Sequence, residues 1–284
     1  MSEILSPTGA TSPSIEETQH KAIIFEDVAI SFENNAVLDG ISFQLLRGET
    51  KVLLGVAGAG KSTILKLALG LVCPDRGRIF VLGHEVTKMK EEDLFDLRRN
   101  IGMVFQESAL FDSLTVRENV AYRLMEEHDL TDDEVERRVV EALRFVELEH
   151  TLDMYPSELS GGMRRRVAIA RAIVSRPEIL LYDSPTGGLD PVTSTTIIEL
   201  ILKERDQYRT SSLMVTHRLP DAYVLATNYY DVDSKQMRPT FGTARTDVNT
   251  SFLILRDGKV IFDGNATELT AAAEKDAYIR EYIS

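Results

Sequence analysis

The segment from Gly55 to Ser62 is the strongest candidate for chemistry in this sequence of 284 residues. It fits the pattern G-x-x-x-x-G-K-[ST] and lies between a predicted strand and a helix predicted over Lys61 to Leu71. Its glycines let the backbone wrap closely around a phosphate chain, and the amides at the helix start face the anion. Lys61 reaches the outer phosphates and Ser62 offers a hydroxyl to Mg²⁺. The pattern predicts a nucleotide site; the alternative is a glycine-rich turn that opens an ordinary helix.

Alternating strand and helix patterns surround this segment and must position it. Strand-like segments alternate with helical ones, so we predict an α/β sheet with a helical insert near residues 109–175. Thr131, with Glu134 three residues later, predicts a capping box at the start of one insert helix. The predicted strands are 22–31, 37–46, 50–55, 77–82, 101–105, 178–183, 212–216, 251–255 and 259–262, and the other predicted helices are 91–98, 160–175, 191–209 and 219–226.

Composition and charge narrow the function classes. The formal net charge of −13 disfavours binding to nucleic acid, so we expect no nucleic-acid partner. Cys73 is the one cysteine, which excludes an internal disulfide. Apolar runs are strand-sized, and the N-terminal residues lack the order of a signal peptide. We therefore expect a cytoplasmic protein whose residues 1–20 form a disordered tail.

A second motif carries a family resemblance. Leu159 to Met163 reads Leu-Ser-Gly-Gly-Met and opens a helix, and it resembles the signature motif of ABC ATPases. The other family elements follow in order over about residues 21–265. Gln106 resembles the Q-loop glutamine, Ile179 to Asp183 the Walker B strand, Gly188 to Asp190 the D-loop, His217 the switch histidine of the H-loop, and Phe32 the aromatic residue that stacks on adenine.

The resemblance implies a fold and a site. The expected fold class is α/β, a P-loop NTPase (RecA-like) core with an antiparallel β subdomain and an inserted α-helical subdomain; the ATPase domain spans 21–264 and a helical tail 265–284. The implied cofactors are ATP and Mg²⁺. The catalytic candidates are Gln106, Asp183, Ser184 and His217; the nucleotide-binding candidates are Phe32, Gly55, Gly58, Gly60, Lys61, Ser62, Thr63, Ser160, Gly161, Gly162 and Asp190; and the metal candidates are Ser62, Gln106 and Asp183.

The same resemblance implies partners. Ser160 is expected to cap its helix, which leaves early amides open to an anion. In the family this helix end faces the γ-phosphate held by a second ATPase subunit, so we expect a head-to-tail dimer that is driven together by ATP. An integral membrane permease is the other expected partner. Its contact candidates are Phe111, Leu114 and Val116, for which packing inside the helical insert is an equally good interpretation.

Three details resemble one branch of the family, the Mla/Mce-associated ATPases of phospholipid transport. They are Met163 at the end of the signature, Pro156 to Glu158 before it, and the segment from Phe105 to Val116; residues 278–283 resemble that group's tail. This branch implies lipid transport, an MCE-type lipid-binding protein as a further partner, and a position on the cytoplasmic face of the inner membrane. The alternative functions are a soluble ABC-type protein without a permease and a binding-only regulatory subunit.

Position 184 departs from the family pattern. Ser184 follows Asp183 where the family has a glutamate that polarises the attacking water, and serine is a poor general base near neutral pH. We expect nucleotide binding to persist and hydrolysis to be slow, either in a naturally weak subunit or in a trapped variant. Three further expectations concern structure: Arg164 and Arg165 form a solvated helix face, residues 227–250 form a flexible surface excursion, and the stripe of Tyr278, Ile279, Tyr282 and Ile283 docks on the core of its own chain or on a partner subunit.

Overall fold

The computed structural model describes residues 20–33, 35–126, 130–240 and 249–283. For residues 281–283 it describes the backbone only. The predicted disordered tail lies outside the described residues except for His20. Within these ranges no helix is both long enough and apolar enough to cross a membrane.

Two β-sheets form the framework. The first is antiparallel, with the strand order β2-β1-β4-β5. The second has six strands in the order β12-β11-β3-β8-β7-β6, parallel except for the edge strand β12. The first sheet consists of β1 (Lys21–Phe32), β2 (Asn35–Leu46), β4 (Arg76–Val81) and β5 (His84–Glu85), and the second of β3 (Thr50–Gly55), β6 (Ile101–Val104), β7 (Ile179–Asp183), β8 (Ser211–Val215), β11 (Thr250–Arg256) and β12 (Lys259–Asn265).

Helices cover the parallel sheet, as both faces of such a sheet require. They are α1 (Lys61–Ala68), α2 (Glu91–Arg98), α3 (Val116–Glu126), α4 (Asp132–Phe145), α5 (Gly161–Ile173), α6 (Pro191–Tyr208), α7 (Leu219–Thr227), α8 (Ala266–Lys275) and α9 (Ala277–Ile283). Helix α1 ends earlier than predicted because Gly70 adopts a left-handed φ of 64° just after its last turn. Cys73 follows this helix and is exposed.

Two hydrophobic cores lie on opposite faces of the six-stranded sheet. Successive residues of β3 point to opposite faces, so Val52 and Leu54 join one core and Leu53 joins the other. The antiparallel sheet and α1 close the core that contains Leu53. The larger core, around Val52 and Leu54, packs against helices α3 to α7 and the C-terminal helices. The predicted fold class is therefore confirmed: an α/β core with an antiparallel sheet and inserted helices.

The helical insert lies between β6 and β7. The Thr131 hydroxyl accepts a hydrogen bond from the Glu134 amide and caps α4, as predicted. The Glu134 carboxylate pairs with Arg137 and Arg138 and so does not complete a capping box. One face of α4 is buried, which agrees with the apolar stripe in its sequence. At Gly102, an added Cβ would lie 2.5 Å from the Ala172 carbonyl oxygen, so this glycine lets β6 and α5 approach closely.

The segment predicted as a flexible excursion contains a hairpin instead, formed by β9 (Asn228–Asp231) and β10 (Gln236–Pro239). Tyr230 is buried, and its amide donates a hydrogen bond to the Asp206 carboxylate on α6 at 2.7 Å. Residues 241–248 lie outside the described ranges. In the C-terminal tail, Ile279 is buried and Tyr278 packs against the same core, so this part of the stripe docks on its own chain.

Candidate nucleotide-binding site

Four candidate loops follow four adjacent strands at one edge of the parallel sheet. The glycine-rich loop follows β3, His217 follows β8, Asp183 ends β7, and Gln106 follows β6, and these strands are neighbours in that order. The carboxyl ends of parallel strands meet at one edge, where ligands of open α/β sheets bind. The fold therefore brings together residues that are separated by up to about 160 positions in the sequence.

The loop from Gly55 to Ser62 has the backbone of an anion cradle. Gly58 and Gly60 have φ angles of 80° and 91°, which favour glycine, and a Cβ on Gly58 would find only open space. A Cβ on Gly60 would lie 2.6 Å from Leu38 Cδ2, so that position has no room for a side chain. No side chain caps the start of α1, which leaves its first amides for a ligand.

Lys61 is held close to this loop. Its Nζ donates hydrogen bonds to the carbonyl oxygens of Gly55 and Val56, both at 2.8 Å. Burial lowers the pKa of the ammonium group, and the negative charge of Asp183 offsets part of this change. The cation therefore stands between the loop and the end of β7, where an outer phosphate would meet it.

The residues present fit a magnesium nucleotide. Mg²⁺ prefers oxygen ligands and keeps several of its waters. The hydroxyl of Ser62, the carboxylate of Asp183 and the amide oxygen of Gln106 supply such ligands at the same sheet edge. Within the described ranges no cluster of three His, Cys, Asp or Glu side chains could hold a metal. With three protein ligands at most, Ser62, Asp183 and Gln106 would share the ion with phosphate oxygens and water. When bound, the ion would neutralise phosphate charge.

Ser184 directly follows the end of β7 and is buried. It has a left-handed φ of 49°, its amide donates to the Val215 carbonyl, and its own carbonyl accepts from the Gly187 amide, both at 2.9 Å. A Cβ on Gly187 would lie 3.5 Å from the Cβ of Ser184 and 3.6 Å from the Cγ of Gln106. Gly187 therefore lies close to both Ser184 and Gln106, and no carboxylate stands at position 184 to accept a proton from water.

The predicted signature motif opens α5, as the sequence indicates. Ser160 Oγ accepts a hydrogen bond from the Met163 amide at 3.2 Å and caps the helix. A Cβ built on Gly161 would lie 3.9 Å from side-chain atoms of Arg164 and Leu189. A Cβ on Gly162 would lie 2.5 Å from Thr193 Cγ2. The motif thus lies beside the D-loop of its own chain, and its Ser160 and Gly161 are exposed.

The remaining candidates lie at the surface. Asp190 caps α6 by accepting hydrogen bonds from the Thr193 amide at 3.0 Å and from its hydroxyl at 2.5 Å. The hydroxyl of Thr193, followed by its amide, lowers the pKa of this carboxylate. His217 is exposed directly after the end of β8. Phe32 ends β1 in the antiparallel sheet, and its side chain is 45% exposed, so a flat base could pack on it.

Arg165 corrects an expectation from the sequence. Its side chain is buried, and it donates hydrogen bonds to the carbonyl oxygens of Phe105 at 2.9 Å and Gly187 at 3.3 Å. The solvated-face interpretation is therefore wrong for Arg165, although Arg164 is exposed. Helical spacing offered the missed signal, because Arg165 shares a face with Ile169 and Ala172, both of which are buried.

The three permease-contact candidates differ in their position relative to a groove beside the site. It has a volume of about 540 Å³ and is lined by exposed aromatic side chains, among which the rings of Phe111 and Tyr122 pack at a tilt of 38° with 4.8 Å between their centroids. Phe111 belongs to this groove. Val116 does not, because it is fully buried in the helical insert, which corrects its candidacy and bears out the alternative interpretation. Leu114 is half-buried and does not line the groove.

A parallel sheet with these loops along its carboxyl edge, an antiparallel subdomain and a helical insert defines a P-loop nucleotide-binding cassette. A family model described as "ABC transporter" matches residues 38–187. The chain belongs to the ABC transporter family, as an ATP-binding subunit.

Similar proteins include several transport components. The chain is 36% identical over 267 residues to Protein TRIGALACTOSYLDIACYLGLYCEROL 3, chloroplastic, of Arabidopsis thaliana, which covers 91% of this chain and 72% of that protein. It is 30% identical over 269 residues to the intermembrane phospholipid transport system ATP-binding protein MlaF of Escherichia coli K12, and the match covers 95% of this chain and 91% of that protein. It is 40% identical over 182 residues to the methionine import ATP-binding protein MetN of Bifidobacterium longum, and the match covers 64% of this chain and 45% of that protein.

Solved structures share the fold. The dimeric, post-hydrolysis structure of the ATP-binding cassette MJ0796 bound to ADP and Pi superposes with a TM-score of 0.70 and 27% identity, covering 86% of this chain and 98% of that one.

Proposed function

We propose that this chain binds Mg-ATP in the Gly55–Ser62 loop and pairs head-to-tail with a second ATPase subunit to drive a membrane permease. The observation that carries the proposal is the position of Lys61, whose ammonium lies on the loop carbonyls at 2.8 Å and near Asp183. Phosphate oxygens would replace those carbonyls as its partners. The domain assignment belongs to the same proposal: an ATPase domain over 21–264, a helical subdomain near 109–175, and a tail over 265–284.

The exposed signature supports a two-chain site. One chain carries one glycine-rich loop and one signature, and the α5 start lies beside Leu189 and Thr193 of its own chain. A second chain would bring its signature to the γ-phosphate, where the capped helix start offers amide donors. The dimeric MJ0796 cassette, bound to ADP and Pi, supports this assembly by analogy.

The residue at position 184 determines the rate of ATP hydrolysis that we expect. Asp183 and Ser62 would hold the metal, while Gln106 and His217 would orient the water. Ser184 offers no carboxylate to take its proton, and the loss of such a group slows turnover by about a hundredfold, about 3 kcal/mol in barrier. The same observation supports a second candidate, a binding-only regulatory subunit that holds ATP without efficient hydrolysis.

The groove supports a membrane partner. It combines the exposed rings of Phe95, Phe111 and Tyr122 with the guanidinium groups of Arg98 and Arg99. An amphipathic helix with apolar and acidic residues would fit such a surface. We assign this helix to a permease, which would place the chain on the cytoplasmic face of the inner membrane.

Phospholipid is the proposed cargo. The support is the match to MlaF along nearly all of both chains, and an MCE-type lipid-binding protein would complete the assembly. The methionine-import relatives offer a rival cargo, but the match spans less than half of that protein's length in the Bifidobacterium longum case.

The first test is Mg-ATP turnover of the purified chain, alone and with its permease, beside Ser184→Glu and Lys61→Ala. We expect low turnover in the parent, about a hundredfold more in Ser184→Glu, and neither binding nor turnover in Lys61→Ala. Parent turnover that Ser184→Glu does not exceed would refute the role assigned to position 184. Nucleotide binding that persists unchanged in Lys61→Ala would refute the proposed site itself.

A further inference from the structure

The loop from Ser184 to Asp190 joins β7 to α6 and has a candidate site residue at each of its ends. Ser184 stands at its start, directly after the metal candidate Asp183, and Asp190 at its end, where it caps α6. Two arginines hold the middle of this loop. Arg165 binds it from α5, and Arg218 binds it from the segment that follows β8.

Arg165 links the loop to the Q-loop segment. One side-chain nitrogen donates to the Phe105 carbonyl, next to Gln106, and the other donates to the Gly187 carbonyl. Arg165 is 5% exposed, and its Nε has no hydrogen-bond partner. Burial lowers the pKa of the guanidinium, and the negative charge of Glu107 offsets only part of this change. Such a group contributes little net stability, because desolvation of its charge offsets the gain from the two carbonyl contacts. The role of Arg165 is instead to fix the position of the Ser184–Asp190 loop relative to the Q-loop segment.

Arg218 links the same loop to the histidine segment. It follows His217 directly, and its Nη1 donates to the Ser194 hydroxyl at 2.7 Å and, over longer distances of 3.3 Å, to the carbonyls of Thr186 and Leu189. Its Nε lies 3.6 Å from the carboxylate of Asp221, which also accepts a hydrogen bond from the Thr186 hydroxyl. His217, the loop and the first turn of α6 are therefore tied through one side chain.

We propose that Arg165 and Arg218 are positioning residues that hold the Ser184–Asp190 loop between the Q-loop and the histidine segment, in the geometry that hydrolysis needs. The proposal rests on the proposed function, because the loop aligns Gln106 and His217 on a bound nucleotide. A Cβ built on Gly187 would lie 3.6 Å from the Cγ of Gln106, so the loop packs beside the glutamine and a shift of the loop would disturb that side chain. A displacement of about 1 Å at such groups is enough to slow a reaction strongly.

The test uses the full chain with Arg165→Met, Arg165→Lys, Arg218→Met and Arg218→Lys, and Arg144→Met on the exposed face of α4 as a matched control. The first readout is hydrogen–deuterium exchange without nucleotide at the amides of Ser184 and of residues 186–190, since Pro185 has no amide hydrogen. We expect exchange about tenfold faster in the two methionine variants, intermediate rates in the lysine variants, which reach fewer carbonyls, and no change in Arg144→Met. Should Arg165→Met fail to fold, Arg165→Lys carries the same comparison.

The second readout is steady-state hydrolysis with each substitution placed in the Ser184→Glu background. We expect kcat to fall about tenfold with KM changed by less than about twofold, and partial recovery in the lysine variants. Methionine variants that match Arg144→Met in exchange, or that raise KM at unchanged kcat, would overturn the proposal. If neither parent nor Ser184→Glu binds nucleotide, the proposed function fails, while the exchange readout still decides the role of the arginines.

Discussion

Glu204 is a buried acid on α6 that takes no part in the nucleotide site. Its side chain borders a cavity of about 220 Å³ lined also by Arg138, Glu141, Arg176 and Tyr208. One carboxyl oxygen accepts a hydrogen bond from the Thr210 hydroxyl at 2.9 Å, and the other has no partner. Burial raises the pKa of this carboxyl to about 7, although Thr210 and the charge of Lys203 act in the opposite direction. Between about pH 4.5 and pH 7, the folded chain thus holds a proton here that the unfolded chain releases.

Replacing Glu204 with glutamine tests this proton. The folded-state pKa of about 7 lies above the ordinary value of 4.5, so the parent loses stability as pH rises between those values, by a few kcal/mol at most. Glu204→Gln removes the ionisation, and its melting temperature should exceed that of the parent by an amount that grows by about 5 °C from pH 5 to pH 8.

The control for this experiment is Glu199→Gln, at a half-buried glutamate of the same helix. Thermal unfolding at several pH values gives both differences. An advantage of Glu204→Gln that is constant across the range would contradict the assignment of a buried proton to Glu204.

At the scale of elements, the start of α5 packs directly on the first turn of α6. Gly162 makes this contact possible, since its missing Cβ would meet Thr193 at 2.5 Å, and Thr193 cannot turn away while Asp190 holds both its amide and its hydroxyl. The neighbouring Gly161 has no such limit, because the atoms nearest to its Cβ position lie 3.9 Å away. The two glycines of one motif therefore have different structural roles.

Alanine at each glycine separates these roles. Gly162→Ala should lower the free energy of unfolding by about 1–3 kcal/mol, because the helices must move apart. Gly161→Ala should be neutral or slightly stabilising, since alanine is the better helix residue. Urea unfolding of both variants measures the difference, and equal stabilities would mean that α5 does not rest on α6 as described.

Much of this element arrangement could be predicted from the sequence, and part of it could not. The glycine-rich loop and the caps at Thr131 and Ser160 are local patterns, so their physics is readable within a few residues. The burial of Arg165 depends on two carbonyls more than 20 residues away on either side. The β9–β10 hairpin forms where a polar segment is captured by α6 through Tyr230 and Asp206, a contact that no local pattern shows.

At the scale of the whole molecule, the six-stranded sheet separates two cores, and the C-terminal helices close one of them. Ile279 is buried in that core, and the Arg256 guanidinium stacks on the Tyr278 ring at 4.7 Å from its centroid. The Arg280 side chain donates to the Ala273 carbonyl and joins α9 to α8. Few residues hold the tail, so it should open independently of the sheet.

Ile279→Asp should release α9 alone. A charge in that apolar position has no partner, so the tail should leave the core and its amides at residues 277–283 should exchange faster. The same substitution at the exposed Ala277 is the control and should leave exchange unchanged. Hydrogen–deuterium exchange measures both variants, and faster exchange in β3, β7 and β8 would show instead that the tail and the sheet unfold together.

The exposed thiol that follows α1 has a practical consequence. Because Cys73 is the one cysteine in the sequence, a nitroxide attached there labels each copy of the unaltered chain at a single point. Two identical chains would give a spin–spin distance, whereas pairing with a different, unlabelled chain would give none. A distance measurement between labels on Cys73 can therefore decide whether the assembly is built from one kind of subunit or two.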